Sequence, residues 1–70
     1  MRQVDINTEP VELYKILKFE GLVATGGEAK LAIANGQVCV NGEVETRKRK
    51  KIVSGDIITI GDEILQVRRA

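Results

Sequence analysis

The sequence predicts an α+β fold in which two packed helices lead into a small antiparallel sheet of short strands. Three observations point there. Apolar residues recur at helical spacing through Leu13, Ile16 and Leu17, and again through Ala29, Ala32 and Ile33. The second stretch stops at Asn35-Gly36, where glycine readily adopts the left-handed conformation that closes many helices. Beyond it the period changes to two, with Val38 and Val40 running into Asn41-Gly42, a dipeptide that suits a two-residue hairpin because both turn positions need positive φ.

Taken in order, Met1 to Asn7 alternates briefly at Val4 and Ile6, as a short strand or a loose arm would, and is assigned to no element. Thr8-Glu9-Pro10 reads as a helix start: a capping hydroxyl, an acid at the positive end of the dipole, and a proline in the first turn, where its missing N–H does no harm. The first helix is therefore expected from Glu9 to Glu20, with Gly21 ending it and Leu22-Val23 as an apolar plug. Tyr14 and Phe19 are expected at the core or its edge, because a small domain needs their apolar area.

Thr25-Gly26-Gly27-Glu28 fits a capping box that opens the second helix, the threonine hydroxyl accepting from a first-turn N–H and the glutamate reaching back to the threonine N–H. In the hairpin, Val38 and Val40 point to one face, Val44 is expected to continue that face on the return strand, and Cys39 points to the other. Ser54-Gly55-Asp56 and Gly61-Asp62 read as turns around a strand from Ile57 to Ile60, and Ile64 to Val67 reads as a last strand. Four short strands are thus expected after the two helices.

With 70 residues the chain is expected to form one domain over residues 1–70. Such a domain buries only roughly 60% of the surface its unfolded chain exposes, so a deep enzyme pocket is not expected. There is no histidine or tryptophan, and the lone Cys39 can form neither an internal disulfide nor a zinc cluster. No catalytic residue, metal site or cofactor is expected. No apolar run approaches the length of a membrane span, and the first residues lack the hydrophobic block of a signal peptide, which points to a soluble, cytoplasmic protein. A monomer is expected.

The net charge of +1 hides an asymmetry. Arg47-Lys48-Arg49-Lys50-Lys51 holds five of the eleven Lys and Arg residues, leaving six cations against ten acids elsewhere. An acidic body with one basic segment suits an anionic partner met on one side. By itself the run also fits a solvated loop that keeps a strand edge from aggregating.

The residues resemble the S4 RNA-binding domain family. That family's pattern runs from an Arg-Leu-Asp opening of the first helix to Gly-Leu, then Ser-Arg-x-x-Ala-x-x-Leu-Ile-x-x-Gly-x-Val-x-Val-Asn-Gly, and later Gly-Asp before a strand. Gly21-Leu22, Thr25, Ala29, Ile33, Gly36, Val38, Val40, Asn41, Gly42, Gly55 and Asp56 stand at the matching places, and Thr25 to Gly42 fits without gaps. The agreement covers roughly residues 11 to 60, and the small stand-alone bacterial members look most similar. Two customary cations are missing: Glu12 and Tyr14 replace the opening arginine and aspartate, and Gly26 replaces the arginine of helix two.

The resemblance implies non-catalytic binding of structured RNA, ribosomal RNA among the candidates. Lys30, Arg47, Lys48, Arg49, Lys50 and Lys51 would supply phosphate contacts. Thr25, Gly26 and Gly27 at a helix start, and Asn41 and Gly42 at the hairpin, would offer backbone groups. Lys15 and Lys18 are weaker candidates. With Tyr14 and Phe19 as the only aromatics, there is little material for stacking unpaired bases. The alternative is a module that docks on an acidic protein surface, with Leu31 as the exposed apolar contact.

Overall fold

The computed structural model describes residues 1–70. Its elements are β1 (Arg2–Ile6), β2 (Val11–Glu12), α1 (Leu13–Phe19), α2 (Gly26–Ala34), β3 (Val38–Val40), β4 (Glu43–Val44), β5 (Lys51–Ile52), β6 (Ile57–Ile60) and β7 (Glu63–Arg69). One sheet has the order β1-β7-β6-β3-β4, and β2 pairs with β5 in a separate two-stranded ladder. The expected α+β arrangement of a helix pair and a small sheet is present. A single cluster of buried apolar side chains joins the helices (Leu13, Ile16, Leu17, Ala29, Ile33) to alternate residues of the sheet (Val4, Ile6, Val38, Val40, Ile58, Leu65, Val67).

Helix α2 forms as its sequence dictates, with one difference at the cap. Thr25 Oγ1 accepts from the Glu28 N–H at 3.1 Å, but Glu28 Oε1 accepts from Ala24 N–H at 3.2 Å, not from Thr25. Both helices close in the same way. Gly21 and Gly36 take φ of 73° and 77°. The N–H groups of Leu22 and Gln37 then reach back to Leu17 and Ala32 carbonyls, the paired closure of a Schellman end.

One segment left unassigned takes a definite form, and four expectations need correction. Residues 2–6 form a strand, pairing parallel with β7 in the register Val4↔Val67; burial of Val4 and Ile6 beside Leu65 and Val67 drives it. Helix α1 starts at Leu13, not Glu9. Val11 and Glu12 are extended instead because they pair with Ile52 and Lys51, and the Glu9 carboxylate accepts from the Ser54 N–H at 3.0 Å. That pairing adds β5, so five strands rather than four follow the helices.

Val44 lies on the face opposite to the expected one. The two-residue turn places Glu43 across from Val40 and Val44 across from Cys39, and Val44 is 61% exposed while Val38 and Val40 are buried. Phe19 is not a core residue: it ends α1 off the Leu13–Ile16–Leu17 stripe and is 72% exposed. Tyr14 does pack against the core, partly buried.

Candidate nucleic-acid interface

The basic segment is held by its own main chain. Glu45 N–H donates to the Val38 carbonyl at 2.9 Å, extending the hairpin, and Lys50 N–H donates to the Arg47 carbonyl at 3.1 Å, closing a turn over residues 47–50. The carbonyls of Lys50 and Lys48 then accept from the N–H groups of Leu13 and Tyr14 at 2.9 and 3.2 Å. Helix α1 has no side-chain cap, so the loop carbonyls satisfy two first-turn donors that a helix start leaves open. Lys51 continues into β5, opposite Glu12. With the carbonyls turned toward α1, Lys48, Arg49 and Lys51 are exposed and Lys50 is half-buried.

Tyr14 links this loop to α2. Its backbone bonds Lys48, its ring faces Gly26 about 4.0 Å from where a Cβ at that glycine would stand, and the Lys30 ammonium stands 4.8 Å from the ring centroid. Lys15 is 6.0 Å from the same centroid. A cation over the face of a tyrosine ring is attracted by the ring quadrupole, so Lys30 is steered to the side of α2 that meets the loop. Gly26 and Gly27 open α2 as first-turn residues, whose N–H groups have no intrahelical acceptor.

The hairpin reaches the same region through Asn41. Asn41 and Gly42 take φ of 53° and 86°, as a turn of positive φ at both central residues requires. The Asn41 amide is engaged on both sides, accepting from Ile57 N–H at 2.9 Å and donating to Asp56 at 3.1 Å, while Asp56 also accepts from Val53 N–H. Asn41 thus ties the hairpin to the turn over residues 53–56, and Asp56 serves that turn. A shallow depression of about 350 Å³ lies between Asn41 and Arg47 with Lys50 on its rim. Another, of about 410 Å³, is lined by Arg47, Arg49, Lys50 and Lys51 alone.

Not all five cations are equally free. The Arg47 guanidinium is forked onto Glu45 at 2.9 Å, and Arg49 lies 3.9 Å from Glu12, which also pairs with Lys15 at 3.3 Å. Lys48, Lys50 and Lys51 have no ion-pair partner. The Arg47 side chain and backbone N–H hold the Glu45 carboxyl down at about 2, from an ordinary 4.5. Glu45, Glu12 and Tyr14 are the members of the site that reading the sequence did not single out. An acid two residues before Arg47 was the one available sign of the first.

The remaining candidates lie elsewhere or carry no such geometry. Lys18 falls in the last turn of α1, away from its capped end. No group of three or more His, Cys, Asp or Glu could hold a metal ion, and no helix is long and apolar enough to cross a membrane. The chemistry this surface offers is anion attraction: lysines without acidic partners, one fixed guanidinium and free backbone donors.

Comparison with known proteins agrees with this architecture. YbcJ of Escherichia coli (strain K12) is 53% identical over 57 residues, 81% of each chain. A Bacillus subtilis (strain 168) protein named "Probable ribosome maturation protein RlbA" is 33% identical over 57 residues, 81% of this chain and 80% of its own. The solution structure of E. coli YbcJ, described as revealing an αL motif involved in RNA binding, superimposes with a TM-score of 0.75 at 46% identity, covering 97% of this chain and 87% of that one. The model of the S4 domain matches residues 4–68, nearly the whole length over which the two helices, the hairpin and the loop-capped helix start are built, and the chain belongs to the S4 domain family.

Proposed function

We propose that this protein binds structured RNA, without catalysing a reaction on it, through the surface formed by the basic loop, the start of α2 and the hairpin turn. The observation that carries this reading is the capping of α1 by the Lys48 and Lys50 carbonyls, which fixes a run of five cations beside Tyr14, Lys30 and Gly26. The αL motif of the E. coli relative, described as involved in RNA binding, supports it. The name of the B. subtilis relative favours ribosomal RNA as the class, and with it a cytoplasmic setting.

Lys48, Lys50, Lys51 and Lys30 supply phosphate contacts, Arg47 and Arg49 add guanidinium contacts, and the N–H groups of Gly26 and Gly27 donate to a phosphate oxygen. Thr25, Asn41 and Gly42 hold these groups in place. Contacts of this kind read shape and position more than sequence.

The test is the joint replacement of Arg47, Lys48 and Lys50 by alanine. The main-chain cap remains, so the variant folds, and affinity for folded ribosomal RNA drops by more than tenfold at about 100 mM salt. Unchanged affinity removes the loop from the interface. Exposed Leu31, 62% accessible, favours the second reading, docking on an acidic protein surface. That reading predicts little salt dependence of RNA association.

A further inference from the structure

We propose that Glu45 is a positioning residue for RNA: its carboxylate braces the Arg47 guanidinium from one side, so that the free edge meets a phosphate in the depression shared with Arg49, Lys50 and Lys51. This rests on the RNA-binding reading above and adds to it a residue of the wrong charge for direct phosphate contact.

The brace is anchored at one end and open at the other. Glu45 is tied to β3 through its N–H, and its side chain is 12% exposed, whereas that of Arg47 is 73% exposed. Glu45 Oε2 accepts from the Arg47 backbone N–H at 3.0 Å and from Nε at 2.9 Å, and Oε1 accepts from Nη2 at 3.1 Å. A guanidinium carries five N–H donors in one rigid plane. The carboxylate takes the Nε–H and one Nη2–H. Both donors on Nη1 and the second on Nη2 remain, and these form the end-on fork that grips a phosphate bidentately. They have no other acceptor in the protein.

Two effects oppose each other. At long range the Arg47–Glu45 pair is neutral, so Glu45 weakens attraction to any polyanion. At short range the arginine has already lost its side-chain freedom, so less is lost when it takes a phosphate at a fixed place. A flexible polyanion senses mainly the first effect. Duplex RNA, whose phosphates are spaced by the helix, gains from the second. Glu45 therefore favours RNA of ordered backbone over anions of equal charge.

The test compares wild type, Glu45→Gln, Arg47→Ala and the double variant, using heparin and a 20-base-pair RNA hairpin as probes. Glu45→Gln is expected to bind heparin more tightly and the hairpin about 3- to 10-fold more weakly, despite its added positive charge. In the Arg47→Ala background the same change no longer weakens hairpin binding. The Arg47 Nε–H signal in NMR keeps its position when the hairpin is added, since the phosphate meets the other edge. Tighter hairpin binding by Glu45→Gln, in step with heparin, overturns the brace, as does displacement of the Nε–H signal by RNA. A wild-type protein that binds heparin but no RNA overturns the RNA-binding reading itself, and the brace with it.

Discussion

The backbone N–H of Tyr14 donates to the Lys48 carbonyl at 3.2 Å, so the most basic segment of the chain is also the cap of its first helix. A carbonyl serves this purpose whatever side chain its residue carries. Fold and charge are therefore separable at Lys48 and Lys50, whose side chains make no ion pair, and substitutions at these two lysines test binding without testing the cap.

Lys48→Ala should leave stability within about 0.5 kcal/mol of wild type in chemical unfolding, as for other exposed positions. RNA affinity should fall several-fold at moderate salt, uniformly across RNA sequences, and the slope of log K against log salt should become shallower by about one.

Asn41→Ala removes the side chain that holds Ile57 N–H and Asp56, and also places alanine at a φ of 53°. A loss of about 2 kcal/mol is expected from the two causes together. Asn41→Gly keeps the backbone conformation and loses only the bonds, so it should cost about 1 kcal/mol. Equal losses for the two variants, measured by urea denaturation, would show that φ contributes nothing.

Register decides the third outcome. Val44→Ala, on the Cys39 face, should change stability by about 0.5 kcal/mol or less, whereas Val40→Ala, on the buried face, should cost about 1 to 3 kcal/mol. The reverse ranking would restore Val44 to the core side.

Acid should act on the brace before it acts on RNA contacts. Because the folded Glu45 carboxyl sits at about 2, below its ordinary 4.5, its charged form contributes stability above about pH 4.5 that is lost as pH falls toward 2. The stability difference between wild type and Glu45→Gln should thus be constant near neutrality and close over that acid window. With no histidine in the chain, RNA affinity should stay flat between about pH 6 and 8.

What the sequence made legible was local. The Thr25 cap, the Ala29–Ala32–Ile33 stripe and the Gly36 stop lie within a dozen residues, and α2 forms between them. The hairpin was legible from Asn41-Gly42, but the face of Val44 was misassigned: two turn residues after Val40 set Glu43 across from it and so put Val44 on the Cys39 face. The start of α1 was not legible, because Val11 and Glu12 are drawn into extended conformation by Ile52 and Lys51, some forty residues away. β1 depends likewise on β7 at the far end of the chain. At the site, the cations announced themselves by charge. Their cap did not, since every residue has a carbonyl, and Tyr14 read as a core residue because its ring has that role too.

RNA binding by this surface is tested most directly by following backbone amide signals while a folded ribosomal RNA fragment is titrated into the intact protein. The largest changes are expected at Gly26, Gly27 and Lys30 and from Arg47 to Lys51, with Tyr14 changing between them. Changes confined to the outer sheet row of Val44, Cys39, Thr59 and Ile64, or to the surface around Phe19, would contradict it.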